Sequence, residues 1–229
     1  MGFFYKLKWN EEKGRLAVYN WGCNFRCRIC TYRIRSPYQG EGKISPVEIE
    51  RVIKRMNGRI RRVHVLGGEP TTNPELPELV ERCRRKGIPV YLGHTNGSGW
   101  VKGVEGVVVS IKAITPELHL DYTGHPVDGV LENVKRYVRD GVSVKANTVF
   151  VPGYVDEDEI EKIARFLSSL SSSIPLHVIG YIPVPGLPFR RPEREETERL
   201  RERIGKMIPF SCSLYRSLDE INYASVRVE

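Results

Sequence analysis

Apolar positions along the chain follow two alternating rhythms. The run LAVYNW at 16–21 is almost continuously apolar or aromatic, as expected of a strand covered on both faces. SPVEIERVIKRMNG then takes a helical period: Ser45 can cap it, Pro46 suits its first position, and Ile49, Val52, Ile53 and Met56 share one face. RVHVLGGEP reads as a second strand ending in a glycine turn, and NPELPELVERCRRKG as a helix with the apolar stripe Leu76, Leu79, Val80 and Cys83. PVYLGHTNG and GVVVSIK are the third and fourth strands, DGVLENVKRYVRDG a helix and VSVKANTVFVPG the fifth strand. DEDEIEKIARFLSSL is a helix whose acidic first turn suits the helix dipole, PLHVIGYIPV the sixth strand, and a last helix is predicted around 192–208.

Strands and helices in this order predict an α/β fold, because parallel neighbours need crossover connections and these are right-handed. The expected form is a partial TIM-like (β/α)6 barrel with parallel strands inside and helices outside. No linker-like tract breaks the alternation, so residues 1–229 read as one domain, with a core at about 16–190 and a C-terminal helix and tail at 191–229. From Phe210 onward the chain shows no clear period.

A length of 229 residues suffices for one substantial core, and 40% hydrophobic with 28% charged residues is the balance of a folded soluble protein. The N-terminal MGFFYKLKWNEEKGR lacks a signal-peptide core, and no segment approaches the ~20 apolar residues of a membrane span, so the chain is expected to be cytoplasmic. Five cysteines, three of them within eight residues, fit a reducing compartment better than a disulfide framework. The formal charge of +8 is spread through RVIKRMNGRIRR, ERCRRKG and ETERLRERIGK, a pattern of solvated helix faces more than of a nucleic-acid stripe.

In parallel α/β folds chemistry gathers at the carboxyl ends of the strands. Here those ends bring Cys23, Cys27 and Cys30, then Gly67, Gly68 and Glu69, then Thr95, Asn96 and Gly97, with Ser110, Lys112, Lys145 and Asn147 on later strands. Thiolates select zinc or iron-sulfur clusters, and C-x3-C-x2-C can wrap three corners of a compact centre. A structural zinc site would need a fourth ligand. Cys83 belongs to an apolar stripe, Cys212 is distant in sequence, and His64 and His94 have no matching ligand pair. A non-catalytic zinc or iron-sulfur protein that binds nucleic acid is therefore the alternative of another class; a cubane held by three cysteines would leave one iron open to a small molecule.

These three cysteines, followed by Gly67-Gly68-Glu69-Pro70 after the next strand, resemble the C-x3-C-x2-C and GGEP motifs of the radical S-adenosylmethionine (SAM) superfamily. TNG at 95–97, SIK at 110–112, HLDYTGHP, VLENVKRYVRDGVSVKANTVFVPG and HVIGYIPVPG extend the likeness to glycyl-radical enzyme (pyruvate formate-lyase) activating enzymes. The resemblance implies a 4Fe-4S cluster on Cys23, Cys27 and Cys30, with S-adenosyl-L-methionine bound at the open iron and cleaved to a 5'-deoxyadenosyl radical that abstracts hydrogen. It implies that Gly67 and Gly68 allow a close backbone approach, that Glu69 holds the turn or the methionine ammonium, and that Asn96, Lys112 and Asn147 complete the cofactor contacts. It further implies a reductant such as ferredoxin or flavodoxin and a protein or peptide substrate, with RNA or a small metabolite as alternatives. Two positions depart from the family pattern: Ile29 stands where an aromatic residue often borders the adenine, for which Tyr32 is a substitute, and Ser110 stands where the activating enzymes carry an acid. His177 is read as an interior histidine.

Overall fold

The computed structural model describes residues 2–30, 42–184, 186–215 and 226–227. The six expected strands are present as β2 (Arg15–Trp21), β3 (Arg62–Gly67), β4 (Val90–Thr95), β5 (Gly106–Ser110), β6 (Ser143–Phe150) and β7 (Leu176–Gly180). Three more join the same sheet: β1 (Phe3–Asn10), β8 (Phe210–Ser213) and β9 (Val226–Arg227). Their order is β8-β7-β6-β5-β4-β3-β2-β1-β9, with β2 to β8 all parallel and β1 antiparallel to both β2 and β9.

The sheet thus extends beyond the expected 16–190 core at both ends. The hairpin that adds β1 turns on NEEKG: Asn10 Oδ1 accepts the Lys13 amide at 2.8 Å, and Gly14 takes φ 57°, a conformation that favours glycine. The helices are α1 (Pro46–Arg55), α2 (Leu76–Arg84), α3 (Pro116–Thr123), α4 (Asp128–Arg139), α5 (Glu157–Leu170) and α6 (Arg194–Ile204). Ser45 and Glu48 form the capping box that starts α1, and the buried stripe of α2 is Leu76, Leu79, Val80 and Cys83. Among the described residues no helix is long and apolar enough to cross a membrane.

Period-two burial separates the faces of the sheet. Leu16, Val18, Val63, Val65, Leu92, Val107, Val109, Leu176 and Val178 are buried in one core cluster with the helix stripes. The intervening positions, including Arg15, Tyr19, His64, Tyr91, Lys145 and His177, are half-buried or exposed on the other face. That face is concave, because the Asn147 amide on β6 reaches His94 Nδ1 on β4 at 3.1 Å, across the intervening β5. The curled, incompletely closed parallel sheet with outer helices is the expected α/β architecture, and it sets the carboxyl ends of β2 to β7 around one mouth.

Candidate active site

β2 delivers the chain to the mouth, and Gly22 turns it into the cysteine loop with φ 91°. The Gly22 carbonyl accepts the Glu69 amide at 2.7 Å, which ties the start of this loop to the turn after β3. Asn20, fully buried, donates from Nδ2 to the Glu69 carbonyl at 3.0 Å and to the Trp21 carbonyl at 3.0 Å, locking the same junction from beneath. A Cβ on Gly68 would lie 2.8 Å from Gly22 C and closer still to its oxygen, so only glycine lets the two backbones meet. Gly67 has φ 90°, again a glycine conformation.

Glu69 is fully buried beneath this turn. Its carboxylate accepts Thr71 N at 2.9 Å, Thr71 Oγ1 at 2.7 Å, Thr95 Oγ1 at 2.8 Å and Asn96 N at 2.5 Å. Burial pushes its pKa up, opposed by these same bonds from Asn96, Thr71 and Thr95. Of the two roles open in the sequence, the described contacts show the first: Glu69 staples the turn after β3 to the end of β4. Asn96 then stands over the cysteine loop, its Nδ2 2.9 Å from Asn24 Oδ1 and 3.8 Å from Cys23 Sγ.

The opposite flank of the cysteine loop rests on α3, a helix that the sequence reading did not separate from its surroundings. Arg26 N donates to the Thr123 carbonyl at 2.9 Å and Arg28 N to the Tyr122 carbonyl at 3.0 Å, strand-like contacts on the last turn of α3. Phe25 stacks on His125 at 4.8 Å and meets His119 edge-on at 5.8 Å, while His125 Nε2 lies 2.7 Å from the Asn24 carbonyl. Outside, Arg28 pairs with Asp121 at 2.8 Å, and the Tyr154 hydroxyl donates to Asp121 at 2.7 Å. Signals for α3 were present: Thr115-Pro116 at its start, and Gly124 with φ 76° just beyond its end.

The three cysteines differ in exposure. Cys23 is exposed, Cys27 and Cys30 are half-buried, and all are free thiols. The protein wall around Cys23 disfavours a thiolate and pushes its pKa up to about 11, with the charges of Glu69, Cys27 and Cys30 adding to the effect. Among the described residues no three His, Cys, Asp or Glu side chains converge as one metal ion requires. A lone zinc at ~2.3 Å from each sulfur would draw thiolates to about 3.8 Å of one another. Thiolates are the soft donors that hold iron-sulfur clusters, one cysteine to each iron, so the chemistry of this donor set fits such a cluster.

Ile29 is 5% exposed and belongs to the core, which leaves its backbone rather than its side chain for any cofactor contact. Tyr32 lies outside the described residues. Lys112, just past β5, makes no hydrogen bond or ion pair among the described residues, and its charge helps lower the pKa values of His94 and His119, after the larger effect of burial. Asn147 is buried and bonded to His94, whose pKa is brought down to about 4 by the surrounding protein wall first and then by Lys112 and His177. His177 bonds Ser211 at 2.8 Å. Cys83 is buried in the helix layer with its pKa pushed up to about 12, and Cys212, on β8, packs against the same core. The geometry therefore gathers Cys23, Gly67, Gly68, Glu69 and Asn96 closely, and sets Lys112 and Asn147 further along the mouth.

The radical SAM superfamily profile matches residues 21–167. A Methanocaldococcus jannaschii protein, provisionally named a glycyl-radical enzyme activating enzyme, is 30% identical over 215 residues, which cover 87% of this chain and 81% of the relative. The Aquifex aeolicus GTP 3',8-cyclase is 29% identical over 179 residues, 71% of this chain and 54% of the relative, so the chain spans about half the length of that cyclase. Among solved structures, Streptococcus suis SuiB bound to S-adenosylmethionine is alike in fold, with a TM-score of 0.68 at 17% identity over 89% of this chain and 51% of that one. The matched span opens at the end of β2 and takes in the cysteine loop, the glycine turn and the β4–β6 strand ends, the same pieces that the fold brings to one mouth. The chain belongs to the radical SAM superfamily, enzymes that use a 4Fe-4S cluster and S-adenosylmethionine.

Proposed function

We propose that Cys23, Cys27 and Cys30 ligate the 4Fe-4S cluster, and that Gly67, Gly68, Glu69, Asn96, Lys112, Asn147 and the Ile29 backbone form the S-adenosylmethionine site. The observation that carries this reading is the backbone junction of Glu69 N with Gly22 O, which sets the glycine turn beside the cysteine loop. When bound, a reduced cluster supplies the electron that cleaves S-adenosylmethionine to methionine and a 5'-deoxyadenosyl radical for hydrogen abstraction. The chain's part is positional. The open turn at Gly67-Gly68 offers backbone groups to the methionine ammonium, Lys112, without an ion pair among the described residues, offers a cation to its carboxylate, and Asn147 offers an amide to the ribose or carboxylate. Glu69 acts at one remove, by holding the turn and Asn96 in register.

The whole chain acts as one domain in this reading, in a cytoplasmic setting suited to five free thiols, with ferredoxin or flavodoxin as reductant. Abstraction from a glycine of a partner protein is the substrate reading supported by the likeness to the M. jannaschii relative. Anaerobic reconstitution tests the assignment: the protein takes up iron and sulfide, and its cluster spectrum changes on adding S-adenosylmethionine. A colourless one-zinc protein, or a spectrum indifferent to S-adenosylmethionine, would sink it. Following deuterium from a labelled partner glycine into 5'-deoxyadenosine tests the substrate; no transfer refutes glycyl activation and leaves the cluster assignment intact.

A further inference from the structure

Strand β4 carries an irregularity where it reaches the mouth. Leu92 pairs with Val107 and Thr95 with Val109, so Gly93 and His94 together face the single residue Val108 on β5. Two residues against one make a β-bulge, a feature that re-aims a side chain. Leu92 packs into the core, so strict alternation would send His94 to the helix face with it. The extra residue instead returns Thr95 to the buried side, where it bonds Glu69 at 2.8 Å, and turns His94 onto the concave face, where it is exposed.

There His94 meets Asn147. Asn147 Nδ2 lies 3.1 Å from His94 Nδ1, across the intervening β5. An amide nitrogen has only hydrogens to give, so Nδ1 is the acceptor and the imidazole proton sits on Nε2. The protein wall, Lys112 and His177 bring the His94 pKa down to about 4, which keeps the Nδ1 lone pair unprotonated at neutral pH. With Nδ2 turned to His94, Asn147 presents Oδ1, which makes no hydrogen bond among the described residues. The backbone of Asn147 is fixed on both sides, by register with Ser110 on β5 and His177 on β7. The Ile111 amide donates to the Asn147 carbonyl at 2.9 Å and burial still alternates beyond it, so Lys112 stands one pleat, about 7 Å, nearer the mouth. An oriented amide oxygen suits hydroxyl donors and repels a carboxylate. S-adenosylmethionine carries its ribose hydroxyls on one side of the sulfonium and its carboxylate on the other.

We propose that His94 is a positioning residue of the S-adenosylmethionine site, which holds the Asn147 amide so that Oδ1 accepts from the ribose hydroxyls and leaves the carboxylate to Lys112. This rests on the cofactor site of the proposed function and decides which of two groups Asn147 meets there. His94 acts through Asn147 and needs no cofactor contact of its own.

Two measurements test the role. In the cluster-free full-length protein, long-range proton–nitrogen correlation spectra of the imidazole read the tautomer: the His94 proton is expected on Nε2, and a proton on Nδ1 overturns the assignment with no cofactor present. In the reconstituted holoenzyme, equilibrium binding of S-adenosylmethionine is compared among variants of equal cluster content. His94→Leu weakens binding by about tenfold, whereas His94→Asn, which keeps an acceptor in the place of Nδ1, stays within about threefold of the wild type. Adding His94→Leu to Asn147→Ala brings no further loss, because the two residues act as one unit. An analogue whose ribose lacks both hydroxyls binds alike to the wild type and to His94→Leu. Equal weakening by Leu and Asn, additive loss in the double variant, or weakened binding of that analogue in His94→Leu overturns the role of His94. A wild-type holoenzyme that binds no S-adenosylmethionine refutes the cofactor site and this inference with it, whereas normal wild-type binding that His94→Leu leaves unchanged refutes only the inference.

Discussion

Replacing Gly68 with alanine adds one methyl at the junction on which the candidate site depends. Its φ is unstrained, so the effect is purely steric: the new Cβ would sit 2.8 Å from Gly22 C, 3.2 Å from Gly22 N and nearest of all to Gly22 O. Relieving that overlap parts the two backbones by roughly 1 Å, given ordinary packing distances. The separation stretches or breaks the 2.7 Å bond from Glu69 N to Gly22 O. Overpacking costs about 1–3 kcal/mol and the lost bond about 1 kcal/mol, for a total of about 2–4 kcal/mol. Gly129, in the first turn of α4, provides the matched control, because a Cβ there meets nothing within 4 Å. Gly129→Ala is expected to stabilise by about 0.5–1 kcal/mol through reduced chain entropy. Urea unfolding of both variants under anaerobic conditions reads the difference. Single-turnover formation of 5'-deoxyadenosine reads the geometry, with an expected drop of about 100-fold in Gly68→Ala for a 1 Å displacement. If Gly68→Ala unfolds with Gly129→Ala and cleaves S-adenosylmethionine at the wild-type rate, the junction does not position the site.

Other outcomes follow from the same structure. Cys27→Ala abolishes 5'-deoxyadenosine formation, whereas Cys83→Ala, a change inside the helix layer, retains it and lowers the unfolding free energy by about 1–2 kcal/mol; equal loss of product in both would show misassigned ligands. His64 has its pKa lowered from 6.5 to about 4, so the unfolded chain binds its proton first as pH falls, and stability present above 6.5 is lost between 6.5 and 4. The full shift corresponds to about 3 kcal/mol, reduced to about 1–2 kcal/mol by water on the concave face, and His64→Leu should flatten the pH dependence of the urea midpoint by that amount. Asp121→Asn releases Arg28 and Tyr154, changes fold stability by less than about 1 kcal/mol because the pair is exposed, and shortens the lifetime of the reconstituted cluster in air; an unchanged lifetime would mean that α3 does not brace the loop.

The helix charges match their reading in the sequence. Along the chain, +8 appeared as a scatter of solvated helix cations. In three dimensions many helix arginines are neutralised by carboxylates on their own or adjacent helices, while on the sheet Arg15 Nε and Arg62 Nε are buried without a partner among the described residues. Glu81, three and four residues before Arg84 and Arg85, predicts their local pairing, because helix neighbours three or four apart are close in space. Arg15 and Arg62 are far apart in sequence, and only the pairing of β2 with β3 sets them side by side.

What the sequence determined by itself was everything written in local periodicity and contiguous motifs. Six strands, five of the helices, the cap at Ser45, and the three cysteines followed by Gly67-Gly68-Glu69-Pro70 were legible because each is a pattern within a few turns of chain. Those motifs carried the family as well. Tertiary structure alone decided what each piece touches: that Gly68 abuts Gly22, that Glu69 spends its carboxylate on Thr71, Thr95 and Asn96, that α3 braces the cysteine loop through Tyr122, Thr123 and His125, and that Ile29 turns into the core. β1, β8 and β9 join the sheet by pairing with strands already placed, which gives their short segments an order that their own periodicity does not encode. Local patterns are enforced by backbone geometry and can be read in one dimension, whereas the partners of a side chain depend on where the sheet curls, and only the folded chain sets that.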